Sequence, residues 1–280
     1  SIFEIGTNDF NEIKKLTNIV NPEQTIITNI FPTHLEKLQS TRNIAIEKSD
    51  IFNSKYNENI KLAILPNNNI DEEFIIEKAF SSKIQSIITY GTKNNSNLKI
   101  LKIKNNKLTC NVTLDFNNKI INFKININQF HRLNNILICL LIFIYNNLDL
   151  NKFISLTPNI PLIEGRGLQK IIFFNQKKVN LIDESYNASP KSMKDCISYF
   201  SDINLKRNQK KILILGDMKE LGENSLKFHE KLLIYTSELN FENIIICGEL
   251  MNLALKKTNI KNMKHISNID DLLLYLKIIV

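Results

Sequence analysis

Short apolar runs that alternate with longer polar stretches are the feature that most constrains the fold of this 280-residue chain. In the first part of the chain the runs are SIFEI (1–5), TIITNI (25–30) and KLAIL (61–65). Short apolar runs between polar, helix-compatible segments indicate strands of βαβ units. The pattern therefore predicts an α/β protein with a mainly parallel sheet.

A different pattern occupies residues 97–127, where apolar and polar residues alternate with a period of two. The alternation is interrupted by KNNK and FNNK, whose asparagines suit tight turns, so an antiparallel meander is expected. An apolar helix is expected from Phe130 to Tyr145. Its longest apolar run, ILICLLIFIY, has about half of the roughly 20 residues that a membrane span requires, so no membrane insertion is expected.

The segment TPNIPLIEGRGLQ (157–169) concentrates Pro and Gly and predicts a domain boundary. We expect one domain over residues 1–157 and a second over residues 158–280. The second begins with a hairpin, QKIIFFNQKKVNLIDE (169–184). Strand and helix patterns then alternate through KKILILG, FENIIICG and NMKHIS, which predicts a smaller Rossmann-like domain.

Composition narrows the functional classes. The apolar fraction of 43% supports a globular protein, and the acidic opening SIFEIGTNDF does not resemble a secretory signal. The four cysteines form no C-x-x-C pair, which argues against a zinc ribbon or a disulfide framework and favours a reducing cytoplasm. The net charge of +8 comes from lysines scattered among acids, so nucleic-acid binding is not expected.

Polar insertions that follow apolar runs are the candidate functional segments, because ligands of parallel α/β sheets bind at the carboxyl ends of strands. Asp and Gly at such places also serve simply as turns and helix caps. The segments are EIGTND (4–9), TNIFPTHLE (28–36), LIDESYNASPKSM (181–193) and LGDMKELGENS (215–225).

In order and spacing these segments resemble the Mur ligase family, specifically its MurF type. DESYNASP is similar to the family's DDTYNANP, and LGDMKELG is similar to its LGDMLELG. The resemblance implies a partial central ATPase domain followed by a Rossmann-like ligase domain. It also implies an ATP-dependent carbon–nitrogen ligase of peptidoglycan synthesis that joins D-alanyl-D-alanine to UDP-MurNAc-tripeptide through an acyl phosphate.

Three segments resemble the family's metal-associated motifs. FEIGTND is similar to E-M-G-A-N, TNIFPTHLE to T-N-I-x-x-A-H-L-E, and IAIEKSDIF to A-x-A-K-x-E-I. The resemblance implies that Glu4, His34 and a carbamylated Lys48 are catalytic and bind Mg²⁺. A carbamate is an anionic oxygen ligand that suits this hard cation, whereas an ammonium repels it. The alternatives are a solvated helix lysine and a packed or helix-start histidine.

Further matches imply contacts with ATP. NQFHRLNNIL resembles H-N-x-x-N, which places His131 and Asn135 near the nucleotide, with a polar helix start as the alternative. Arg166 in EGRG matches the family's Gly-Arg at the domain junction, where a linker salt bridge is the alternative. In the second domain the matched nucleotide-binding positions are Asp183, Glu184, Tyr186 and Asn187.

The GDMKELG turn matches the part of the family that closes over acceptor and nucleotide. Gly216 and Gly222 alternatively only permit tight backbone turns. The residues expected to act in substrate binding or domain closure are Asp217, Met218, Glu220, Leu221 and Gly222.

Departures from the family pattern add further expectations. The phosphate-binding G-T-x-G-K-T loop does not occur, and LLLYLKIIV stops before the family's KGS, so we expect an internal fragment that does not use ATP alone. Asp50 replaces Glu, Asn11 replaces Gly, and LPNNN replaces N-x-D-D.

A cytoplasmic monomer is expected. The alternatives are a MurE-type sister ligase, folylpolyglutamate synthetase, or a non-catalytic remnant or binding protein.

Overall fold

The computed structural model describes residues 1–53, 57–106, 109–126 and 132–280. The chain divides into two compact units, which are Ser1–Ile160 (unit 1) and Pro161–Val280 (unit 2).

Unit 1 is built on a mixed sheet. Its strands are β1 (Gln24–Ile26), β2 (Leu62–Pro66), β3 (Ser86–Gly91), β4 (Leu98–Asn105), β5 (Thr109–Phe116) and β6 (Lys119–Asn126). They lie side by side in chain order. The pairs from β1 to β4 are parallel, and the pairs β4–β5 and β5–β6 are antiparallel. A mainly parallel sheet that continues into a small meander is therefore confirmed.

The helices of unit 1 cover both faces of the sheet. They are α1 (Glu12–Val20), α2 (Leu35–Leu38), α3 (Thr41–Ser49), α4 (Ile70–Phe80), α5 (Leu133–Tyr145) and α6 (Leu150–Leu156). In β2, Leu62 and Ile64 belong to the cluster formed with α5, whereas Ala63 and Leu65 belong to the cluster formed with α3 and α4. Burial on both faces explains why this strand is a continuous apolar run.

The expected strand SIFEI is wrong. Residues 1–6 have no regular secondary structure, and the first strand is β1, a three-residue strand that overlaps only the first two residues of the expected TIITNI. The alternating pattern of residues 1–5 suits a strand, but a strand forms only where a neighbouring backbone completes its hydrogen bonds.

The meander and the apolar helix follow expectation where the structure describes them. Asn117 and Asn118 in the FNNK turn both have positive φ, at 50° and 66°, as a two-residue hairpin loop requires. The apolar run lies in α5, which begins at Leu133, and Phe130 lies outside the described residues. In the described part of the chain, no helix combines the length and apolarity needed to cross a membrane.

Unit 2 contains a hairpin and a parallel three-stranded sheet. The hairpin pairs β7 (Leu168–Phe174) with β8 (Lys177–Asp183). The sheet has the order β11-β10-β9, with β9 (Ile212–Leu215), β10 (Asn243–Ile246) and β11 (Met263–His265). The helices are α7 (Pro190–Asp202), α8 (Ser225–Ser237), α9 (Glu249–Thr258) and α10 (Ile269–Ile279). Strands that alternate with helices in a parallel sheet match the expected Rossmann-like domain.

Candidate functional site

The carboxyl edge of β1, β2 and β3 is the ligand-binding edge expected for unit 1. Helix α5 runs antiparallel to these strands. The residue after its last turn, Asn146, bonds Gln24 at the start of β1 at 2.9 Å. The Tyr145 hydroxyl lies 3.4 Å from the Lys61 carbonyl, just before β2. The first turn of α5 therefore points toward the carboxyl edge.

Lys48 lies at this edge. It is in the last turn of α3, and its Nζ donates a hydrogen bond to the Asn29 carbonyl at 3.0 Å. The side chain is half-buried, and this burial lowers the pKa of the Lys48 amine, while the charge of the nearby Glu72 acts in the opposite direction. Lys48 is thus tied to the loop between β1 and α2, and is not a solvated surface lysine.

The same loop is held a second time, one residue earlier. The buried Tyr90, on β3, donates its hydroxyl to the Thr28 carbonyl at 2.6 Å. Burial raises the pKa of the Tyr90 hydroxyl, so it remains a donor. Two successive carbonyls, those of Thr28 and Asn29, are therefore fixed by side chains from different elements.

His34 ends this loop. It is the residue before α2 and has a left-handed backbone, with φ 54° and ψ 29°. Its carbonyl accepts from the Leu38 N–H at 3.1 Å, and its side chain is half-buried. The helix-start alternative describes its backbone correctly, and a metal-binding role for its ring stays a prediction.

Glu4 is exposed and lies in the irregular segment at the beginning of unit 1. The structure brings Lys48 to the loop that carries His34, but gives no contact of Glu4 with either residue. Among the described residues, no group of three or more His, Cys, Asp or Glu side chains is placed to hold a metal ion. The expected Mg²⁺ site is therefore not preformed by unmodified side chains there.

Two buried carboxylates at this edge were not singled out from the sequence. Glu72, in the first turn of α4, is 1% exposed and accepts from the Asn68 N–H at 2.7 Å. Glu47, on α3 next to Lys48, is also 1% exposed and accepts from the N–H groups of Asn11 and Ile13. For Glu47 the available signal was its place inside the otherwise apolar helical pattern IAIEK. An acidic residue in such a pattern is expected to be buried, and a buried carboxylate requires hydrogen-bond donors.

Of the two nucleotide-binding candidates near α5, only Asn135 is described. It lies in the first turn of α5 and is exposed. His131 lies outside the described residues.

Unit 2 brings EGRG and DESYN together. The Arg166 guanidinium carbon lies 4.3 Å from the centre of the exposed Tyr186 ring, a cation–π contact. The Tyr186 N–H donates to the Gly165 carbonyl at 3.0 Å, and the Gly165 N–H donates to Asp183 at 3.2 Å. Gly165 has φ 70°, and a Cβ at this position would lie 2.9 Å from the Tyr186 Cβ, so glycine permits the close approach.

Asp183 is fixed by local hydrogen bonds. Its carboxylate accepts from the Ser185 hydroxyl at 2.6 Å and from the Ser185 N–H at 3.1 Å. These bonds lower the pKa of the Asp183 carboxyl. Glu184 is half-buried, and Asn187 is exposed and accepts from the Ala188 N–H at 2.8 Å. The cluster of Arg166, Asp183 and Tyr186 can offer a cation, an anion and an aromatic face to one ligand.

The GDMKELG turn follows β9. Asp217 accepts from the N–H groups of Leu250 at 3.2 Å and Met251 at 2.8 Å, in the first turn of α9. The residue before that helix is Gly248, which has no side chain to cap it, so Asp217 supplies the cap from the neighbouring strand end. The Asp217 carboxylate therefore has a structural role, as the cap of α9.

His229, on α8, organises the same turn. It is fully buried, its Nε2 accepts from the Met218 N–H at 2.9 Å, and its Nδ1 lies 2.7 Å from the Ser225 carbonyl, to which it donates. Met218 and Leu221 are buried in the core of unit 2. Glu220 is exposed with φ 61°, and Gly222 has φ 62°. The expected contacts of these residues with substrate stay predictions.

Comparison with known proteins supports the family suggested by this arrangement. Residues 1–143 match the family described as the Mur ligase middle domain, which is just over half of the chain. The chain belongs to the Mur ligase family. The UDP-N-acetylmuramoyl-tripeptide–D-alanyl-D-alanine ligase of Rickettsia prowazekii is 31% identical over 287 residues, which cover 100% of this chain and 62% of that protein. The MurF-type resemblance is confirmed, and the sister-ligase and folylpolyglutamate synthetase alternatives are not favoured.

Solved structures share the fold. MurF from Acinetobacter baumannii superposes with a TM-score of 0.78 at 23% identity, covering 97% of this chain and 56% of that chain. The MurF ligase of Thermotoga maritima in complex with ADP gives a TM-score of 0.73 at 20% identity, covering 96% and 57%. At these identities the likeness shows the fold alone. The chain spans less than two thirds of the length of the proteins it matches.

Proposed function

We propose that the protein is an ATP-dependent amide ligase of the MurF type, which joins D-alanyl-D-alanine to the terminal carboxylate of UDP-MurNAc-tripeptide. The observation that carries the proposal is the bond from Lys48 to the Asn29 carbonyl, which places a half-buried amine beside the loop that ends at His34. This bond lies at the ligand edge of a chain that aligns over its full length with a ligase of that name.

The reaction proceeds by activation of the carboxylate. The γ-phosphoryl group of ATP passes to a carboxylate oxygen of the tripeptide, which gives ADP and an acyl phosphate. The amine of D-alanyl-D-alanine attacks the carbonyl carbon, and the tetrahedral intermediate expels phosphate to leave an amide. Catalysis of both steps depends mainly on positioning and charge stabilisation.

The chain's own donors fit Mg²⁺ only if Lys48 is carbamylated. The Glu4 carboxylate, the His34 ring and a carbamate on Lys48 would form an oxygen-rich donor set, whereas an ammonium on Lys48 would repel the cation. Carbon dioxide reacts with a neutral amine, and burial of Lys48 favours that form. When bound, Mg²⁺ neutralises charge on the transferred phosphoryl group.

Residues 1–157 form the central ATP-binding domain in this proposal, and residues 158–280 form the C-terminal ligase domain. Asn135 and His131 bind the nucleotide in the first domain. The cluster of Arg166, Asp183 and Tyr186 binds it from the second, since a guanidinium pairs with phosphate, a carboxylate accepts from ribose hydroxyls, and an aromatic ring packs against a sugar or a base. Glu184 and Asn187 flank this cluster.

The GDMKELG turn contacts the acceptor on closure of the two domains in this proposal. Glu220, an exposed carboxylate of the turn, makes this contact together with the backbone of Gly222. Met218, Leu221 and Asp217 hold the shape of the turn. The protein acts as a cytoplasmic monomer, with no nucleic acid as partner and no insertion into a membrane.

A ligase assay with oxygen tracing tests the proposal. The natural gene product is tagged at its own locus, so that whatever flanks this chain is retained, and is supplied with ATP, Mg²⁺, D-alanyl-D-alanine and UDP-MurNAc-tripeptide labelled with ¹⁸O in its terminal carboxylate. Mass spectrometry is expected to find the amide product and one ¹⁸O atom in the released phosphate, because the acyl phosphate route transfers that oxygen. An absent product, or phosphate without label, refutes the proposal.

A pair of lysine variants tests the assigned site. Lys48→Ala is expected to reduce turnover by about 100-fold or more, the scale of losing a group that positions transition-state charge. Lys14→Ala, an exposed lysine on α1, is the matched control and should leave turnover unchanged. Equal turnover in both variants would remove Lys48 from the site.

A further inference from the structure

Glu47 holds the beginning of unit 1 against α3. Its Oε1 accepts from the Ile13 N–H at 2.9 Å, and its Oε2 accepts from the Asn11 N–H at 2.7 Å. The Thr7 hydroxyl also lies 3.4 Å from Oε1, but the Asp9 carbonyl, at 2.7 Å, is the closer acceptor for its proton. The residue is 1% exposed, so these are buried, charge-assisted hydrogen bonds. One carboxylate on α3 therefore fixes two backbone donors at the start of α1.

Glu47 replaces a missing cap of α1. The residue before that helix, Asn11, makes no side-chain cap bond. Helix amino termini carry unsatisfied N–H groups and favour negative charge, so a carboxylate from another helix serves them well. The amino terminus of α1 is consequently docked on α3, the helix that also carries Lys48.

The residues of this docking depart from the family motifs quoted above. Aligned with the motifs E-M-G-A-N and A-x-A-K-x-E-I, Thr7 and Glu47 both stand where the patterns have Ala, and Asn11 stands where the family has Gly. Glu47 accepts from the Asn11 N–H, and the Thr7 hydroxyl lies 3.4 Å from the same carboxylate. Asn11 has φ 65°, a left-handed conformation that Asn adopts more readily than most residues, so its replacement of Gly leaves the backbone path possible.

A second contact joins the same segment to α2. Asp9 pairs with Lys37 at 3.1 Å, and Lys37 lies three residues after His34 on the chain. This pair is exposed at both ends and is weak by itself. Together the two contacts link the segment that follows Glu4 to the helices that carry Lys48 and His34.

We propose that Glu47 is a positioning residue that presents the Glu4 carboxylate to the same divalent cation as His34 and Lys48. The proposal rests on the proposed function, since that function defines the three ligands. Glu47 holds the backbone of Asn11, and Glu12 at the start of α1 accepts from the N–H groups of Asn8 and Asp9, so the anchored backbone reaches the segment that follows Glu4. Without this anchor, part of the binding free energy of the cation is spent on ordering the Glu4 segment, so the cation binds more weakly. At a saturating cation concentration the segment is ordered, and the geometry of the site is the same as with the anchor.

The experiment measures cation affinity directly. Mn²⁺, which shares the oxygen preference of Mg²⁺, is titrated into the natural gene product in bicarbonate buffer, and free Mn²⁺ is counted by electron paramagnetic resonance. Glu47→Ala is expected to raise the Mn²⁺ dissociation constant by about tenfold, as for a binding-competent state reduced to roughly a tenth of the population. Glu47→Gln keeps an acceptor oxygen and should show a smaller rise.

Asp149→Ala is the matched control. Asp149 caps α6 in the same unit by accepting from the N–H groups of Asn151 at 2.9 Å and Lys152 at 3.2 Å. Its loss removes a comparable helix cap without touching the candidate site, so Mn²⁺ affinity should not change. In the ligase assay, Glu47→Ala should raise the Mg²⁺ concentration for half-maximal turnover about tenfold, with less change in turnover at saturating Mg²⁺.

Two outcomes would overturn the inference. One is unchanged Mn²⁺ affinity in Glu47→Ala, or in Glu47→Gln if the alanine variant does not fold. The other is an equal loss of affinity in Asp149→Ala, which would indicate general destabilisation. Failure of the proposed function is separate, because it appears as a missing amide product from the unmodified protein.

Discussion

Replacement of Gly248 by alanine should disrupt the junction between the GDMKELG turn and α9. Gly248 has φ 110° and ψ 159°, a backbone conformation that is almost confined to glycine. A Cβ built at this position would lie 2.3 Å from Cγ and 2.4 Å from Oδ1 of Asp217. The new methyl group and the capping carboxylate cannot both keep their places.

The expected cost has two parts. An alanine held in this conformation costs about 1–3 kcal/mol. Displacement of Asp217 removes its hydrogen bonds to Leu250 and Met251, a helix cap worth about 1–2 kcal/mol. Gly248→Ala should therefore lower the free energy of opening of this region by about 2–5 kcal/mol.

Hydrogen exchange measured by mass spectrometry on peptides of α9 reports this opening locally, which suits a chain with two units. A double-mutant cycle with Asp217→Ala separates the two parts, because the three atoms nearest to such a Cβ belong to the Asp217 carboxylate. In the Asp217→Ala background, Gly248→Ala should retain only the conformational cost. The coupling between the two sites is expected to be about 1–2 kcal/mol.

Gly216→Ala is the control, since a Cβ at Gly216 meets nothing within 4 Å and the position does not have a positive φ. It should change stability by at most about 1 kcal/mol. The reasoning is refuted if Gly248→Ala is as mild as this control. It is also refuted if the two substitutions in the cycle are additive within about 0.5 kcal/mol.

Three further substitutions test other contacts. His229→Ala should destabilise unit 2 by about 2–4 kcal/mol in urea unfolding, because a fully buried ring and two hydrogen bonds are lost. Tyr90→Phe should cost unit 1 about 1–2 kcal/mol by removing the donor to the Thr28 carbonyl. The pKa of the Asp183 carboxyl, measured by NMR titration, should be lower than that of an unfolded aspartate, and Ser185→Ala should raise this pKa. Because the folded pKa is the lower one, this stabilisation is present above the unfolded pKa and is lost as pH falls through the folded pKa.

Matched variants give these tests their controls. His265→Ala removes a half-buried histidine, and Tyr145→Phe removes a hydroxyl at an exposed contact of 3.4 Å, so both should cost less than their counterparts. Equal losses within either pair would contradict the role assigned to burial. An Asp183 pKa that does not respond to Ser185→Ala would mean that another group holds it down.

Much of the fold could be predicted because its signals are local. The apolar run LAIL is buried on both faces, and the FNNK turn places two asparagines at positive φ. SIFEI failed because strand formation depends on a neighbouring backbone, which the residues of the strand itself do not encode. The residue pattern predicts which secondary structure a segment can adopt, but a strand forms only where a second backbone pairs with it.

The candidate site was predictable only in part. The segments that carry Glu4, His34 and Lys48 could be found from their motifs, since short motifs need a particular local backbone. The contacts of Tyr90 with Thr28 and of Glu47 with Asn11 join residues far apart in sequence, and no local pattern specifies such partners. These contacts can be identified only once the packing of the helices and strands is known.

The most specific motif of the chain owes much of its sequence to folding. Asp217 caps α9, and the side chains of Met218 and Leu221 are packed in the core. The buried side chains of Met218 and Leu221 can serve a substrate only by shaping the turn, whereas Glu220 is an exposed carboxylate of the same turn. Substitution at Met218 or Leu221 should therefore lower the stability of unit 2 and substrate binding together, whereas substitution at Glu220 should separate the two.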